Sequence, residues 1–78
     1  MHQQADMICR KFAESFKYHR WRLGISRDEL ADACGFSVSI QKKWEQGVCC
    51  PTLFCLVAMA DYMNLSLDEL VGRERRGG

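Results

Sequence analysis

The sequence predicts an all-α fold of five short helices, on three observations. Apolar residues recur at helical spacing along most of the chain, and no stretch alternates as a strand. Ser26, Ser37, Thr52 and Ser66 each precede such a segment, where a hydroxyl can accept from the free N–H groups of a first turn. Gly24, Gly35, Gly47, Asn64 and Gly72 follow the segments, at places where a helix commonly ends in a left-handed residue.

The first helix is expected from about Ala5 to Leu23, with Ile8, Phe12, Phe16 and His19 on one stripe and Gly24 as its stop. Ser26 with Glu29 three residues later has the spacing of a capping box, which opens a second helix to about Cys34. Leu30, Ala31 and Cys34 form its inner face, and the small Ala31 allows the next helix a close approach. After the turn at Gly35, Ser37 caps a third helix that ends near Gln46, with Gly47 as its stop. Val48 to Pro51 reads as a loop. Thr52 then caps a fourth helix with Leu53, Leu56, Val57, Ala60 and Met63 inward, closed by Asn64. Ser66 begins a short fifth helix carrying Leu67, Leu70 and Val71.

Length and composition narrow the classes. Seventy-eight residues make one expected domain, 1–78, with a core over about 8–72 and a polar tail, 73–78, expected to fray. A hydrophobic share of 47% with a single proline argues against a disordered chain. No apolar run approaches the roughly 18 residues of a membrane span. Met1 to Ile8 lacks the apolar core of a secretory signal, so a cytoplasmic location is expected. The five cysteines include no C-x2-C pair, and neither His2 nor His19 completes a ligand pattern. No metal or cofactor is therefore expected, and the thiols are read as reduced and buried, with Cys49 and Cys50 the most reactive. Net charge is only +1, but Arg10, Lys11, Lys17, Arg20, Arg22 and Arg27 cluster early, and Lys42 and Lys43 stand together.

Two short capped helices joined by a tight turn, from Gly24 to Gly47, have the spacing of a helix-turn-helix. One helix crosses a DNA backbone while the second enters the major groove. Free N–H groups at the start of helix 2, together with Arg27, suit a phosphate. On helix 3, positions 38, 39, 42, 43 and 46 share one exposed face. There Lys43 can address guanine, Val38 a thymine methyl, and Ser39 any base, while Lys42 either meets a phosphate or faces solvent. Trp44 is read as a core residue bracing helix 3, and His19 is given no role.

Gly24-Ile25-Ser26, Glu29-Leu30-Ala31, Gly35-Phe36-Ser37, Trp44-Glu45-x-Gly47, Pro51 and Leu65-Ser66-Leu67-Asp68-x-Leu70 stand in order and in register. Together they resemble the phage-repressor and Cro-like (XRE-type) helix-turn-helix family over roughly Phe12 to Gly72, without a gap. The resemblance implies a lambda-repressor-like five-helix domain whose second and third helices read DNA. It implies a phosphate contact for Arg27, phosphate and base-edge contacts for Ser37, Val38 and Ser39, a groove-facing position for Lys43, and a backbone-contacting one for Gln46. It also implies a bridge between Arg20 and Glu45. One position departs from the pattern: Gln41 stands where the family buries a branched aliphatic, with Ile40 before it. Either Gln41 finds hydrogen bonds inside the domain, or helix 3 turns to bring Ile40 inward.

The function expected on this basis is a transcriptional repressor that binds double-stranded DNA at a palindromic operator as a homodimer. Helix 5 and the loop before it are the expected dimer contacts, through Leu67, Leu70, Val71 or nearby exposed apolar groups. The competing expectation is a protein-interaction module of the same fold, antitoxin-like or anti-repressor, with weak or no DNA reading. No nucleophile–base pairing, metal spacing or phosphate loop points to an enzyme or a small-molecule substrate.

Overall fold

A computed structural model describes residues 2–73, with side chains from residue 7 onward. From residue 74 on, the tail expected to fray lies outside the described residues. The described residues form five helices and no strand: α1 His2–Leu23, α2 Arg27–Cys34, α3 Val38–Glu45, α4 Leu53–Met63 and α5 Leu67–Val71. None is long and apolar enough to cross a membrane.

Local chemistry sets the boundaries. The side chains of Ser26, Ser37, Thr52 and Ser66 accept from the backbone N–H groups of Glu29, Ile40, Cys55 and Glu69. Each such cap is worth about 1 kcal/mol. The box expected at Ser26 and Glu29 is half made, because the Glu29 carboxylate takes the Tyr62 hydroxyl instead of reaching back. A complete box forms at Ser66 and Glu69, where the Glu69 carboxylate also accepts from the Ser66 N–H at 2.8 Å. Those hydrogen bonds hold the Glu69 carboxyl below its ordinary range.

All five helices contribute to one core. Phe12 and Phe16 of α1, Leu30 of α2, Trp44 of α3, Met59, Ala60 and Met63 of α4, and Leu70 of α5 are buried together. Trp44 meets Phe12, Phe16 and Phe36 edge-on, with centroids 6.3, 6.0 and 4.9 Å away. Aromatic pairs in this geometry add about 0.5–1.5 kcal/mol each beyond area burial. Trp44 thereby fixes α3 against α1. At the other end α5 docks on α1: Ser15 Oγ donates to the Glu69 carbonyl at 2.8 Å, and Gly72 closes α5 at φ 78°. A Cβ on Gly72 would stand 3.1 Å from the Lys11 carbonyl oxygen.

Several expectations need correction. α1 begins at His2 rather than near Ala5, and Ile8 lies on its exposed side. On α4, Leu53 and Val57 face outward and Met59 replaces them in the core. Residues 53–60 are apolar on every side, so periodicity could not choose a face; packing on α2 and α5 does. On α5, Leu70 is fully buried, which removes it from any dimer surface, while Val71 is half-buried and Leu67 exposed.

The thiol reading is corrected too. Cys9 of α1 and Cys50, in the loop after α3, form a disulfide. They stand 41 residues apart, and their Cα atoms are 5.4 Å apart, within the range a bridge requires. Spacing rules look for nearby cysteines, whereas this pair meets only because α3 packs on α1. Cys34, Cys49 and Cys55 are free and half-buried. Burial, with a smaller contribution from Cys55, pushes the Cys34 thiol up.

Candidate nucleic-acid interface

The turn between α2 and α3 is built from the left-handed Gly35, at φ 84°, followed by Phe36, which packs on Trp44. Gly35 therefore reverses the chain while Phe36 and Trp44 pin α3 from inside. The outward side of α3 is left to polar residues: Ser37, Ser39, Lys42, Lys43 and Gln46 are all exposed, and Val38 is half-buried. The cap bond uses a lone pair of Ser37 Oγ, so its hydroxyl proton remains free to donate.

Arg27, the first residue of α2, is bound from one side. Its Nε and Nη2 donate to the two carboxylate oxygens of Glu45 at 3.2 and 2.6 Å. Glu45 also meets Arg20 Nη2 at 3.1 Å, and Arg20 Nη1 donates to the Ile25 carbonyl at 3.1 Å. Glu45 is 8% exposed in its side chain and Arg27 36%, so one carboxylate is clamped by two arginines from α1 and α2. The hydrogen bond to Glu45 raises the Arg27 pKa further. This fork fixes the guanidinium plane, occupying one edge and turning the Nη1 edge away from Glu45.

Lys17, Arg27, Lys42, Glu45 and Gln46 line one shallow groove beside α3. Lys17 was not among the site residues expected from sequence. It lies one turn before Arg20 on α1, and that spacing was the signal available. Three cations thus converge where α1, α2 and α3 meet, although net charge is only +1. Lys43 and Ser39 stand outside this groove, on the exposed face of α3.

Gln41 resolves the departure from the family pattern. It is fully buried, and its Nε2 donates to the carbonyls of Arg27 and Ser37 at 2.9 and 3.3 Å. Its Oε1 has no partner. Ile40 packs half-buried against the core beside it. Both side chains therefore sit inward, and Gln41 ties the start of α2 to the start of α3.

Among the described residues no group of His, Cys, Asp or Glu could hold a metal ion. Over 63 residues the chain is 36% identical to the cryptic phage CTXphi transcriptional repressor RstR of Vibrio cholerae. The chain is a relative of phage repressors. The match takes in 81% of this chain and 56% of RstR, so the chain spans little more than half of that relative's length. No protein-family model matches the chain, and no solved structure matches it. In this phage-repressor relative the described helix order carries both halves of a helix-turn-helix, with their polar sides exposed.

Proposed function

We propose that this chain is a sequence-specific transcriptional repressor, acting in the cytoplasm, that binds a palindromic operator through the major groove as a homodimer. The observation that carries the reading is the convergence of three cations, Lys17, Arg27 and Lys42, with Gln46 and a single carboxylate, Glu45, around one groove beside the exposed face of α3. A DNA phosphate fits that groove. The Nη1 edge of Arg27 and the ammonium groups of Lys17 and Lys42 meet it, while the Ser37 hydroxyl donates to a neighbouring phosphate. These contacts set register and affinity without reading sequence. Reading falls to Lys43 and Ser39, with Lys43 on guanine O6 and N7, and to a smaller apolar contact from Val38. The repressor role of RstR supports the regulatory direction. Two copies would address half-sites about 10 bp apart.

Selection of sites from a random duplex library, followed by affinity against salt, tests this reading. A palindromic site should emerge, with affinity falling steeply as salt rises through counterion release. Arg27→Ala should weaken binding to all sequences and reduce the salt slope by about one. Lys43→Ala should relax preference at one base pair, at a cost of about 1–3 kcal/mol. Absence of any enriched site would favour the interaction-module reading, to which the commitment of Arg27 to Glu45 already lends weight.

A further inference from the structure

We infer that a second copy of this chain docks on the outer face of α4, through Leu53, Phe54 and Val57, and that this face is the self-association surface. The inference rests on the two-fold reading above.

Leu53, Phe54 and Val57 are 69%, 77% and 41% exposed. At 100° per residue Val57 lies between the other two around the helix, so the three make one patch. With whole aromatic side chains at 150–250 Å2, the patch presents on the order of 300 Å2 of apolar surface. Val48, on the loop leading into α4, is 66% exposed as well. The area of the patch equals the low end of the largest apolar patch found on a typical monomer, a patch that is often functional. A standard interface buries about 800 Å2 per partner, somewhat more than half of it non-polar. The α4 face therefore supplies most of the apolar part of one such interface.

Charge decides the occupant. From Gly47 to Ala60 the chain carries no charged residue. Such a face offers a phosphate backbone no cationic side chain. In a two-fold interface the same patch stands on both sides, so like charges meet their own copies. The α4 face tolerates that arrangement. The other exposed apolar residues of the helices stand nearer to charges along the chain than Leu53 and Phe54 do. Met7 is one turn from Arg10 and Lys11, Ile8 one turn from Lys11, Tyr18 one turn from Glu14 and Arg22, and Trp21 one turn from Lys17. Leu23 is next to Arg22, Tyr62 next to Asp61, and Leu67 beside Asp68 and Glu69. The position also suits a dimer that presents two reading helices together. α4 follows α3 after one loop, and that loop is fastened to α1 by Cys9–Cys50, so the patch is held in fixed relation to the reading face.

Sedimentation equilibrium on the full chain without DNA tests the surface, with Phe54→Glu, Leu53→Glu and Trp21→Glu compared with the parent. The parent should show a monomer–dimer equilibrium. Phe54→Glu and Leu53→Glu should raise its dissociation constant about 30-fold or more, the scale of an anchor lost from an interface centre. Trp21→Glu should leave it unchanged. Far-UV circular dichroism should show all three variants folded, since each replaced side chain lies on the surface. A monomeric parent, or a dimer lost in Trp21→Glu and kept in Phe54→Glu, overturns the inference. Binding to a single half-site duplex separates the two readings. If Phe54→Glu keeps half-site affinity and loses tight binding to the palindrome, both stand. If Phe54→Glu is monomeric and the parent binds no duplex, the surface stands and the DNA reading falls. If half-site affinity falls with an unchanged dimer, the patch touches DNA and the inference falls.

Discussion

Gln41 places a whole amide inside α3 and satisfies only its nitrogen end. The two carbonyls it reaches belong to helix backbone, so they lose little if it is replaced. A buried polar atom without a partner costs about 1–3 kcal/mol. Gln41→Ile should therefore stabilise the domain by about 1 kcal/mol, which in a chain of this size raises Tm by roughly 4–8 °C in a thermal melt. A lower Tm would mean that the link from α2 to α3 outweighs the stranded oxygen. Glu69 gives a pH-dependent counterpart. Its folded carboxyl lies below its unfolded value because Ser66 donates to the carboxylate, so the capping box adds stability above the unfolded pKa. That stability is lost as pH falls through the lower, folded value. Glu69→Gln should be less stable than the parent at pH 7 by urea titration, and the difference should close in acid. The sequence marked Gln41 as the unusual residue of α3, but which end of its amide would be served depends on carbonyls contributed by another helix.

Helix starts were legible because a cap is a local event: Ser26, Ser37, Thr52 and Ser66 each bond within their own first turn. Helix faces were legible only where the helix is amphipathic. Leu30 and Trp44 were placed correctly on α2 and α3, whereas α4, apolar on every side, gave no angular signal and its Leu53 and Val57 were turned the wrong way. The exposed α3 residues of the candidate interface were readable from the 3.6-residue period, but Lys17 joined them only through the packing of α1 on α3. Two predictions belong to this scale. Gly72→Ala should destabilise the α5 dock by about 1–2 kcal/mol, the cost of a left-handed residue with a Cβ, with crowding against Lys11 added. Glu45→Ala should cost about 3 kcal/mol, because it leaves the guanidinium of Arg20, 19% exposed, without its carboxylate. Urea midpoints at constant slope check both, and a loss below half a kcal/mol in Glu45→Ala would make the arginine clamp unimportant for folding.

The whole molecule is a small globule of radius of gyration 12.0 Å in which one covalent link joins distant parts of the chain. Closing a loop of this length restricts the unfolded chain by roughly 4 kcal/mol in the chain-entropy account, a large share of what a domain of this size holds. Reductant, or Cys50→Ser, should lower the urea midpoint accordingly, while Cys49→Ser should not. An equal midpoint with and without reductant would show that the link contributes nothing to stability. The same link has a topological consequence. Residues 9 through 50 form a closed ring, and both helices of the reading unit lie wholly inside it. A protease that cuts once anywhere in that ring releases no fragment. The nicked molecule runs as one band until a thiol is added and as two afterwards, so a simple gel reports whether the reading unit is encircled.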